Sequence, residues 1–381
     1  MKKLVAFIRK EIVLCVAIFL AIAGIVACRP NGEHIKNSID LRVITLLFCL
    51  MYVIQGFSAV NILDKLAGKM LSVCKTTRQM VFALTYLVFF ISMIVTNDVA
   101  LITFVPISLI ICKKINLQNT NPGLPAKIIV LETIAANLGS CITPMGNPQN
   151  LFLFNFYEMK SGEFFETTLK IGIPSFFMCG LLAFLITRKG ETITAKYEEK
   201  PITAHPIKLI LLTILLVLSL LSVFRILEYR LLFAIVMIIG AMIEPKVFLR
   251  VDYALLFTFL GFFLFTGSVS SMEAVSVLFE QLLKTPPATY LAGLTLSQLI
   301  SNVPAALLLS SFTENSTELL AAVNVAGLGT LIASLASVIS YKLFKSFQEE
   351  AAPSPQSYFA TFTKWNFMLL PILAIIVYFL L

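Results

Sequence analysis

Residues 80–112 read MVFALTYLVFFISMIVTNDVALITFVPISLIIC, an apolar stretch that is interrupted once by the polar triplet Thr96-Asn97-Asp98. As one straight helix it would measure about 50 Å, against a hydrocarbon core of about 30 Å. Two complete spans would need about 40 residues and a turn. Basic residues flank the stretch on both sides: Lys75, Arg78, Lys113 and Lys114. The stretch therefore predicts a re-entrant hairpin of two half-helices that enters from the cytoplasm, with the triplet at its tip.

The composition of the whole chain agrees with a membrane location. Of 381 residues, 58% are hydrophobic and 13% are charged, whereas a soluble domain has about 45–50% apolar and about 25% charged residues. This excludes a soluble enzyme, a disordered chain and a nucleic-acid-binding protein. It predicts an all-α polytopic membrane protein that is embedded in the lipid bilayer.

A second interrupted stretch lies at residues 288–312, with its break at Ser301-Asn302. Its flanks are acidic, which predicts a hairpin that enters from outside: Glu273, Glu280, Glu314 and Glu318. A plain span is the alternative, and it would reverse the sidedness of everything that follows. About nine transmembrane helices accompany the two hairpins, at residues 11–28, 41–60, 124–156, 168–187, 209–226, 229–243, 251–267, 317–344 and 365–381.

The order of these segments predicts an inverted-topology repeat. Residues 1–187 form the first repeat, 188–228 a basic cytoplasmic loop and a linking span, and 229–381 the inverted second repeat. With a cytoplasmic N-terminus, most of the 29 lysines and arginines face the cytoplasm. Such repeats are typical of secondary transporters, whose sites lie at the repeat interface. The expected location is the cytoplasmic (inner) membrane.

The interrupted spans of the two repeats align without a gap, Asn137–Asn150 against Asn324–Ser337. Asn137 falls on Asn324, and Thr143 falls on Thr330. Unwound helices expose carbonyls that coordinate Na⁺, and half-helix N-termini favour an anion. Glycines are expected to permit the unwound backbone: Gly139, Gly146, Gly327 and Gly329. Alternatively, the glycines and prolines only kink packed helices.

Two acids cannot be placed in loops or at span ends, Asp98 and Glu132. An acid at membrane depth is a functional hypothesis by default. Asp98 could ligate Na⁺ or exchange a proton, and the alternative is an N-cap of the following half-helix. Glu132 could be a proton relay or the satisfied partner of a neighbouring polar group.

Three motifs together resemble the ion transporter superfamily, in the branch of arsenite permeases, D-type Na⁺/H⁺ antiporters and citrate-type (CitMHS-like) carriers. They are Thr96–Pro106, Gly146–Asn150 and Ser301–Ala305. The resemblance implies scaffold and transport domains, an elevator-type movement and a homodimer. It implies two half-sites for substrate and Na⁺, the first at Thr96, Asn97, Asp98, Gly139, Thr143, Gly146, Asn147 and Asn150, the second at Ser301, Asn302, Gly327, Gly329, Thr330 and Ser334. Na⁺ is expected at Asn97 and Asp98 with the 139–147 loop, and at Asn302 with the 327–334 loop.

The sequence departs from that superfamily at the hairpin tips. Its divalent-anion carriers have Ser-Asn-Thr at both tips, where Asn and Thr hold a carboxylate. Here the third positions are Asp98 and Val303. An ionised Asp repels a carboxylate, and a Val side chain forms no hydrogen bond. The departure therefore weakens the interpretation of the chain as a sodium–dicarboxylate carrier.

The leading hypothesis is a secondary active transporter of a small anion or oxyanion, such as a carboxylate or an arsenite-like species. Na⁺ or H⁺ would be the coupling ion, and no other cofactor is expected. A Na⁺/H⁺ antiporter that binds no anion is the first alternative. A passive channel, or the membrane subunit of a pump with a separate ATPase, is the second. No enzyme is predicted, because the chain has no P-loop and its two histidines lie in loops on opposite sides.

Overall fold

The computed structural model describes residues 11–28, 31–115, 117, 121, 123–187, 206–270, 272–350 and 358–381. The predicted cytoplasmic N-terminus and all but the last three residues of the basic loop 188–208 lie outside these residues. The described chain is all-helical, as predicted, with eighteen α-helices.

The helices are numbered in chain order. The first nine are α1 Ile12–Cys28, α2 Gly32–Ser38, α3 Leu41–Ala59, α4 Ile62–Leu71, α5 Thr77–Val95, α6 Asn97–Lys114, α7 Leu124–Ser140, α8 Pro148–Phe156 and α9 Ser161–Ile186. The other nine are α10 Pro206–Val223, α11 Tyr229–Ile243, α12 Tyr253–Ser270, α13 Glu273–Leu282, α14 Pro286–Ile300, α15 Asn302–Ser310, α16 Ser316–Val325, α17 Leu335–Glu350 and α18 Tyr358–Leu380.

The protein is a polytopic membrane protein. Among the described residues, six helices are long and apolar enough to cross a membrane, namely α3, α5, α9, α10, α12 and α18. Large apolar side chains point outward on several helices; Phe379 is 81% exposed, Met242 80% and Phe19 70%. In water such a surface would be unstable, whereas lipid tails cover it without loss.

The helices pack in two groups. The core group comprises α5–α9 and α14–α18, and the flanking group comprises α1–α3 and α10–α12. In the flanking group α12 packs along α1, while α3 packs against α10 and α11. The groups meet where α3 contacts α8 and where α12 contacts α15. Both interrupted stretches of the sequence therefore lie in one group.

Two helix pairs of the core group are each broken at a single residue. Thr96 separates α5 from α6, and Ser301 separates α14 from α15. Their backbones are nearly identical, with φ 73° and ψ 151° at Thr96 and φ 78° and ψ 154° at Ser301. Residues other than Gly rarely adopt this conformation, which costs about 1–3 kcal/mol. A polar triplet was predicted as the first tip. In the structure the tip is the single strained residue Thr96, and helix α6 begins at the next residue.

The contacts within the core group have a mirrored pattern. Helix α5 packs on α7 as α14 packs on α16, and α6 packs on α17 as α15 packs on α8. Likewise α9 packs on α16 as α18 packs on α7. Each interrupted segment therefore lies between its own hairpin pair and the other half of the core.

Three helices lie where loops were expected, α2, α4 and α13. Helix α4 shows the reason. It buries Leu63, Ala67 and Leu71, spaced four residues apart, and exposes polar side chains on its other face. A search for apolar runs overlooks such a helix because only one face is apolar.

Helix α7 packs so closely on α5 that position 139 has no room for a side chain. A Cβ built on Gly139 would meet the carbonyl of Phe89 and the hydroxyl of Ser92. Close approach of backbones through glycine is common where membrane helices associate.

We predict that Gly139→Ala lowers the free energy of unfolding by about 1–3 kcal/mol, because the added methyl group forces α5 away from α7. Thermal unfolding of the purified protein in detergent measures the loss. Gly162→Ala is the matched control, since a Cβ there meets nothing within 4 Å. Equal melting temperatures for the two variants would contradict the prediction.

Candidate functional site

A buried network of amides and hydroxyls joins the two interrupted segments. The Asn147 amide donates to Asn324 Oδ1 at 3.0 Å, and the Asn324 amide donates to Asn150 Oδ1 at 2.6 Å. In the opposite direction, the Ser334 hydroxyl donates to Asn137 Oδ1 at 2.9 Å, and the Asn137 amide donates to Ser337 Oγ at 3.1 Å. All of these side chains are buried.

The network follows the alignment of the two segments. Asn137 and Asn324 are aligned with each other. Asn137 binds Ser334 and Ser337 of the second segment, and Asn324 binds Asn147 and Asn150 of the first. The two bound pairs also align with each other. The pairs are Asn147 with Asn150 on one side and Ser334 with Ser337 on the other. The two segments are thus equivalent in their hydrogen bonding as well as in their sequence.

The hairpin pairs are anchored to the same network in matching ways. The Thr143 hydroxyl donates to the carbonyl of Met93, and the Thr330 hydroxyl donates to that of Gln298 at 2.9 Å. Both acceptors lie three residues before a strained tip. At the tips, Asn97 N–H donates to the Gly146 carbonyl at 3.1 Å, and Ser301 Oγ donates to the carbonyl at 333, which aligns with 146, at 3.3 Å.

The two tips meet in a small cavity of about 30 Å³. Its polar lining comes from both halves and from α12: Asn97, Asp98, Gln149, Thr258, Ser301, Asn302 and Ser334. None of its lining residues is Lys, Arg or His. The volume suits one ion or a few water molecules.

A second cavity of about 90 Å³ lies between the core and flanking groups. Asp98 and Asn147 line it from the core, while Gln55 on α3 and Asp252 before α12 line it from the flanking group. Oδ1 of Asp98 is buried and has no hydrogen-bond partner. Asp252 was missed in the sequence because it stands at a span end, beside Arg250, where acids are ordinary.

Asp98 does not cap the helix that follows it. Thr96 occupies the N-cap position of α6, and its side chain forms no capping bond. Asp98 lies within the first turn, where its own N–H donates to Asn97 Oδ1 at 3.0 Å. The N-cap interpretation of this acid is therefore wrong, and its carboxylate remains available to a ligand.

Gln149 is a further polar residue at the tip cavity. Its side chain is 3% exposed, lines the tip cavity and forms no hydrogen bond within the described chain. Gln298, by contrast, binds the loop of its own half, because its amide donates to the carbonyls of Ala326 and Leu328 at 3.1 Å. Only Gln149 is thus free to meet a substrate.

The predicted glycines act differently from one another. Gly139 lies inside α7, so it does not permit unwound backbone. Gly329 alone among the four has a positive φ, of 105°. Gly146 and Gly327 contribute their carbonyls, which accept from the backbone of Asn97 and from the amide of Asn137. The expectation that the glycines permit unwound backbone is therefore wrong for Gly139, whereas Gly146, Gly327 and Gly329 lie in non-helical loops.

Glu132 lies apart from both cavities. It is fully buried on α7, where Ser108 of α6 donates to its Oε1. Its Oε2 has no partner. Among the described residues, no three His, Cys, Asp or Glu side chains form a cluster that could hold a metal ion.

We predict that Asn324→Ala lowers the free energy of unfolding by about 1–3 kcal/mol, since it removes the acceptor at 3.0 Å from the Asn147 amide and the donor to Asn150 Oδ1 in a buried interior. Thermal unfolding in detergent measures the change. Asn155→Ala is the control, because that amide donates only to the carbonyl of Leu151 on its own helix. A loss no greater than that of the control would count against the network.

Comparison with known proteins agrees with this architecture. The citrate transporter family, CitMHS, matches residues 4–339. The uncharacterized transporter MJ0456 of Methanocaldococcus jannaschii is 32% identical over 316 residues, 82% of this chain and 84% of the relative. The inner membrane protein YbiR of Escherichia coli K12 is 27% identical over 314 residues, 80% of each chain. The putative transporter arsB of Dictyostelium discoideum is 26% identical over 179 residues, 44% of this chain and 31% of the relative.

The family match spans most of the chain, including both hairpin pairs and both interrupted segments as far as residue 339. It agrees with the superfamily that the sequence motifs resemble, and it describes transporters rather than enzymes. The chain therefore belongs to the citrate transporter family, CitMHS, of the ion transporter superfamily.

Proposed function

We propose that this chain is a secondary active transporter of a small anion or oxyanion, a carboxylate or an arsenite-like species, coupled to Na⁺ or H⁺ by alternating access. The observation that carries the proposal is the reciprocal hydrogen bonding of the two interrupted segments around a cavity where both hairpin tips meet. A transporter built from inverted repeats binds its substrate at such an interface.

Several observations support an inverted repeat of residues 1–187 and 229–381, joined by 188–228. The tips share one backbone conformation, and the core contacts are mirrored. Helices α14 and α15 have 15 and 9 residues, so they measure about 22 and 14 Å and are too short to cross the bilayer. The other tip lines the same cavity and thus lies at the same depth. This supports two re-entrant hairpins that accompany about nine spans.

The first pair is longer than two half-helices. Helices α5 and α6 have 19 and 18 residues, since α5 begins at Thr77 and α6 continues to Lys114 in the basic flanks. With the tip at mid-depth, the far ends of both helices extend beyond the hydrocarbon core. Their basic residues then lie in cytoplasmic water, which agrees with entry from that side.

The two cavities, both lined by Asp98, together provide groups for an anion and for a coupling cation. Helices α6, α8 and α15 begin at the edge of the tip cavity, and their N-termini carry partial positive charge that attracts an anion. The unpaired amide of Gln149 can donate to a substrate oxygen. The Asp98 carboxylate, which has no partner of its own, would take the Na⁺ or the proton.

A Na⁺/H⁺ antiporter is the second candidate, favoured by the charges on the cavity walls. None of the residues lining the two cavities is basic, while Asp98 and Asp252 share one of them. In that case Asp98 would carry Na⁺ and H⁺ alternately. A pH-sensitive dye inside vesicles, with Na⁺ pulses and no anion, would report proton movement for the antiporter alone.

The core and flanking groups suggest how access alternates. The larger cavity lies between them, with Asp98 on one side and Asp252 on the other. We propose that the core group moves as a transport domain past a scaffold formed by the flanking group, in an elevator-type movement. A homodimer through the flanking group would hold that scaffold fixed.

We predict that Asp98→Asn abolishes ion-driven uptake but leaves the fold intact, because Asn keeps the size of Asp and removes the charge. Proteoliposomes receive labelled citrate or arsenite in separate arms, each under an imposed Na⁺ or H⁺ gradient. Glu166→Gln is the control, an exposed acid paired with Lys170 at 3.1 Å. Ion-driven uptake at the wild-type rate in Asp98→Asn would contradict the coupling role proposed for Asp98. Saturable counterflow without ATP would argue against a channel or pump subunit.

The proposed orientation predicts that a membrane-impermeant maleimide labels Lys284→Cys but not Lys113→Cys in intact cells. Both positions are exposed in the structure and stand at the far ends of opposite hairpin pairs. The accessible native cysteines are first replaced by serine. Labelling of both positions from outside would contradict hairpins that enter from opposite sides.

A further inference from the structure

The two acids of the core interior stand only in the first half. Aligning the tips at Thr96 and Ser301 puts Val303 at the position of Asp98. Extending the alignment of the interrupted segments back along α7 and α16 puts Leu319 at the position of Glu132. Both Glu132 and Leu319 are 0% exposed. Packing at this position is thus satisfied by an aliphatic side chain, and it does not require a carboxyl group.

We propose that Glu132 is a proton-binding site, separate from the two cavities, that releases and regains one proton during the transport cycle. This inference rests on the proposed function and specifies where a coupling proton binds. Helix α7, which carries Glu132, packs against α5, α6, α9, α16, α17 and α18.

The surroundings of Glu132 in this structure favour its protonated form. The Ser108 hydroxyl donates to Oε1 of Glu132, and Oε2 has no hydrogen-bond partner among the described residues. No Lys, Arg or His forms an ion pair with Glu132 in the described chain. An ionised carboxylate buried without a partner is strongly unfavourable, so the neutral acid is the form that fits here.

Two titratable groups interact with this carboxyl, the Cys112 thiol on α6 and the Tyr358 hydroxyl on α18. The other helices packed against α7, namely α5, α9, α16 and α17, bring no charged group to it within the described residues. Neither neighbour is positively charged, so neither would stabilise the ionised acid. The proton must therefore leave when water reaches the site, and the bond from the Ser108 hydroxyl then becomes charge-assisted.

A cluster of hydroxyls begins at Thr133, the residue after Glu132, and would carry that proton onward once a water molecule joins Glu132 to it. Thr133 Oγ1 lies 2.6 Å from Ser340 Oγ, and Ser340 Oγ lies 2.9 Å from the Tyr358 hydroxyl. Thr133 and Tyr358 are also in contact, at 3.2 Å. Each hydroxyl can donate and accept at once, so the cluster can pass a proton between α7 and the first residue of α18.

Proton release at Glu132 would act on the first hairpin. Ser108 belongs to α6, the helix that begins at the strained tip, and its bond to Glu132 fixes α6 on α7. An ionised Glu132 requires water between these helices. Loss of the proton would therefore let water enter beside the arm that carries Asn97 and Asp98, while the bond from Ser108 remains.

Infrared spectroscopy of the purified full-length protein tests the site without any substrate. At neutral pH we expect a carbonyl stretch from a protonated carboxylic acid that is absent in Glu132→Gln and remains in Asp98→Asn. The band should shift in D₂O and disappear at alkaline pH. Ser108→Ala should move its frequency, and Tyr358→Phe should slow its exchange at least several-fold.

Glu132→Leu, which copies the second half, controls for folding and should unfold at or above the wild-type temperature. A missing Glu132 band at neutral pH, or a band that neither exchanges in D₂O nor titrates, would overturn the proposal. Failure of citrate, arsenite and Na⁺ to move in proteoliposomes, with a band that titrates, would overturn only the proposed function.

Discussion

The structure depends on the side-chain hydrogen bonds of Asn137 and Asn324, since these bonds join the two segments where helices are interrupted. A break at membrane depth exposes backbone groups that have no water to bind, and each unmade hydrogen bond there is unfavourable. The two asparagines bind the hydroxyls and amides of the opposite segment. The Asn137 amide also donates to the Gly327 carbonyl at 3.1 Å. Each broken segment thus supplies hydrogen-bond partners to the other.

The strained tips depend on this pairing as well. Thr96 and Ser301 hold backbone angles that few residues adopt. The N–H of Asn97, next to Thr96, and the hydroxyl of Ser301 each donate to a carbonyl of an interrupted loop, which fixes the two tips. Strain of this kind is retained where the surrounding structure fixes it, often at binding sites. The tips can therefore present Asn97 and Asn302 to one cavity, while Asp98 reaches both that cavity and the one that borders the flanking group.

Much of this arrangement could be predicted from the sequence because charge and polarity are scarce in it. The basic and acidic flanks indicated both hairpin pairs, and the alignment of Asn137 with Asn324 anticipated residues that bind reciprocally. The helices α4 and α13 could not be found as apolar runs, because each is apolar on one face only. Asp252 was also missed, since its role depends on packing between distant segments. Gly139 was predicted to permit unwound backbone, and this was wrong. Its close approach to the Phe89 carbonyl is visible only in the structure.

The most direct test of the reciprocal network is a double-mutant cycle of Asn147→Ala and Asn324→Ala, followed by thermal unfolding in detergent. If the two amides bind each other, the double variant is less destabilised than the sum of the single variants, with a coupling of about 0.5–3 kcal/mol. The same cycle with Asn155→Ala in place of Asn324→Ala should be additive. Additive losses for Asn147 and Asn324 would contradict the central claim that these side chains join the two halves.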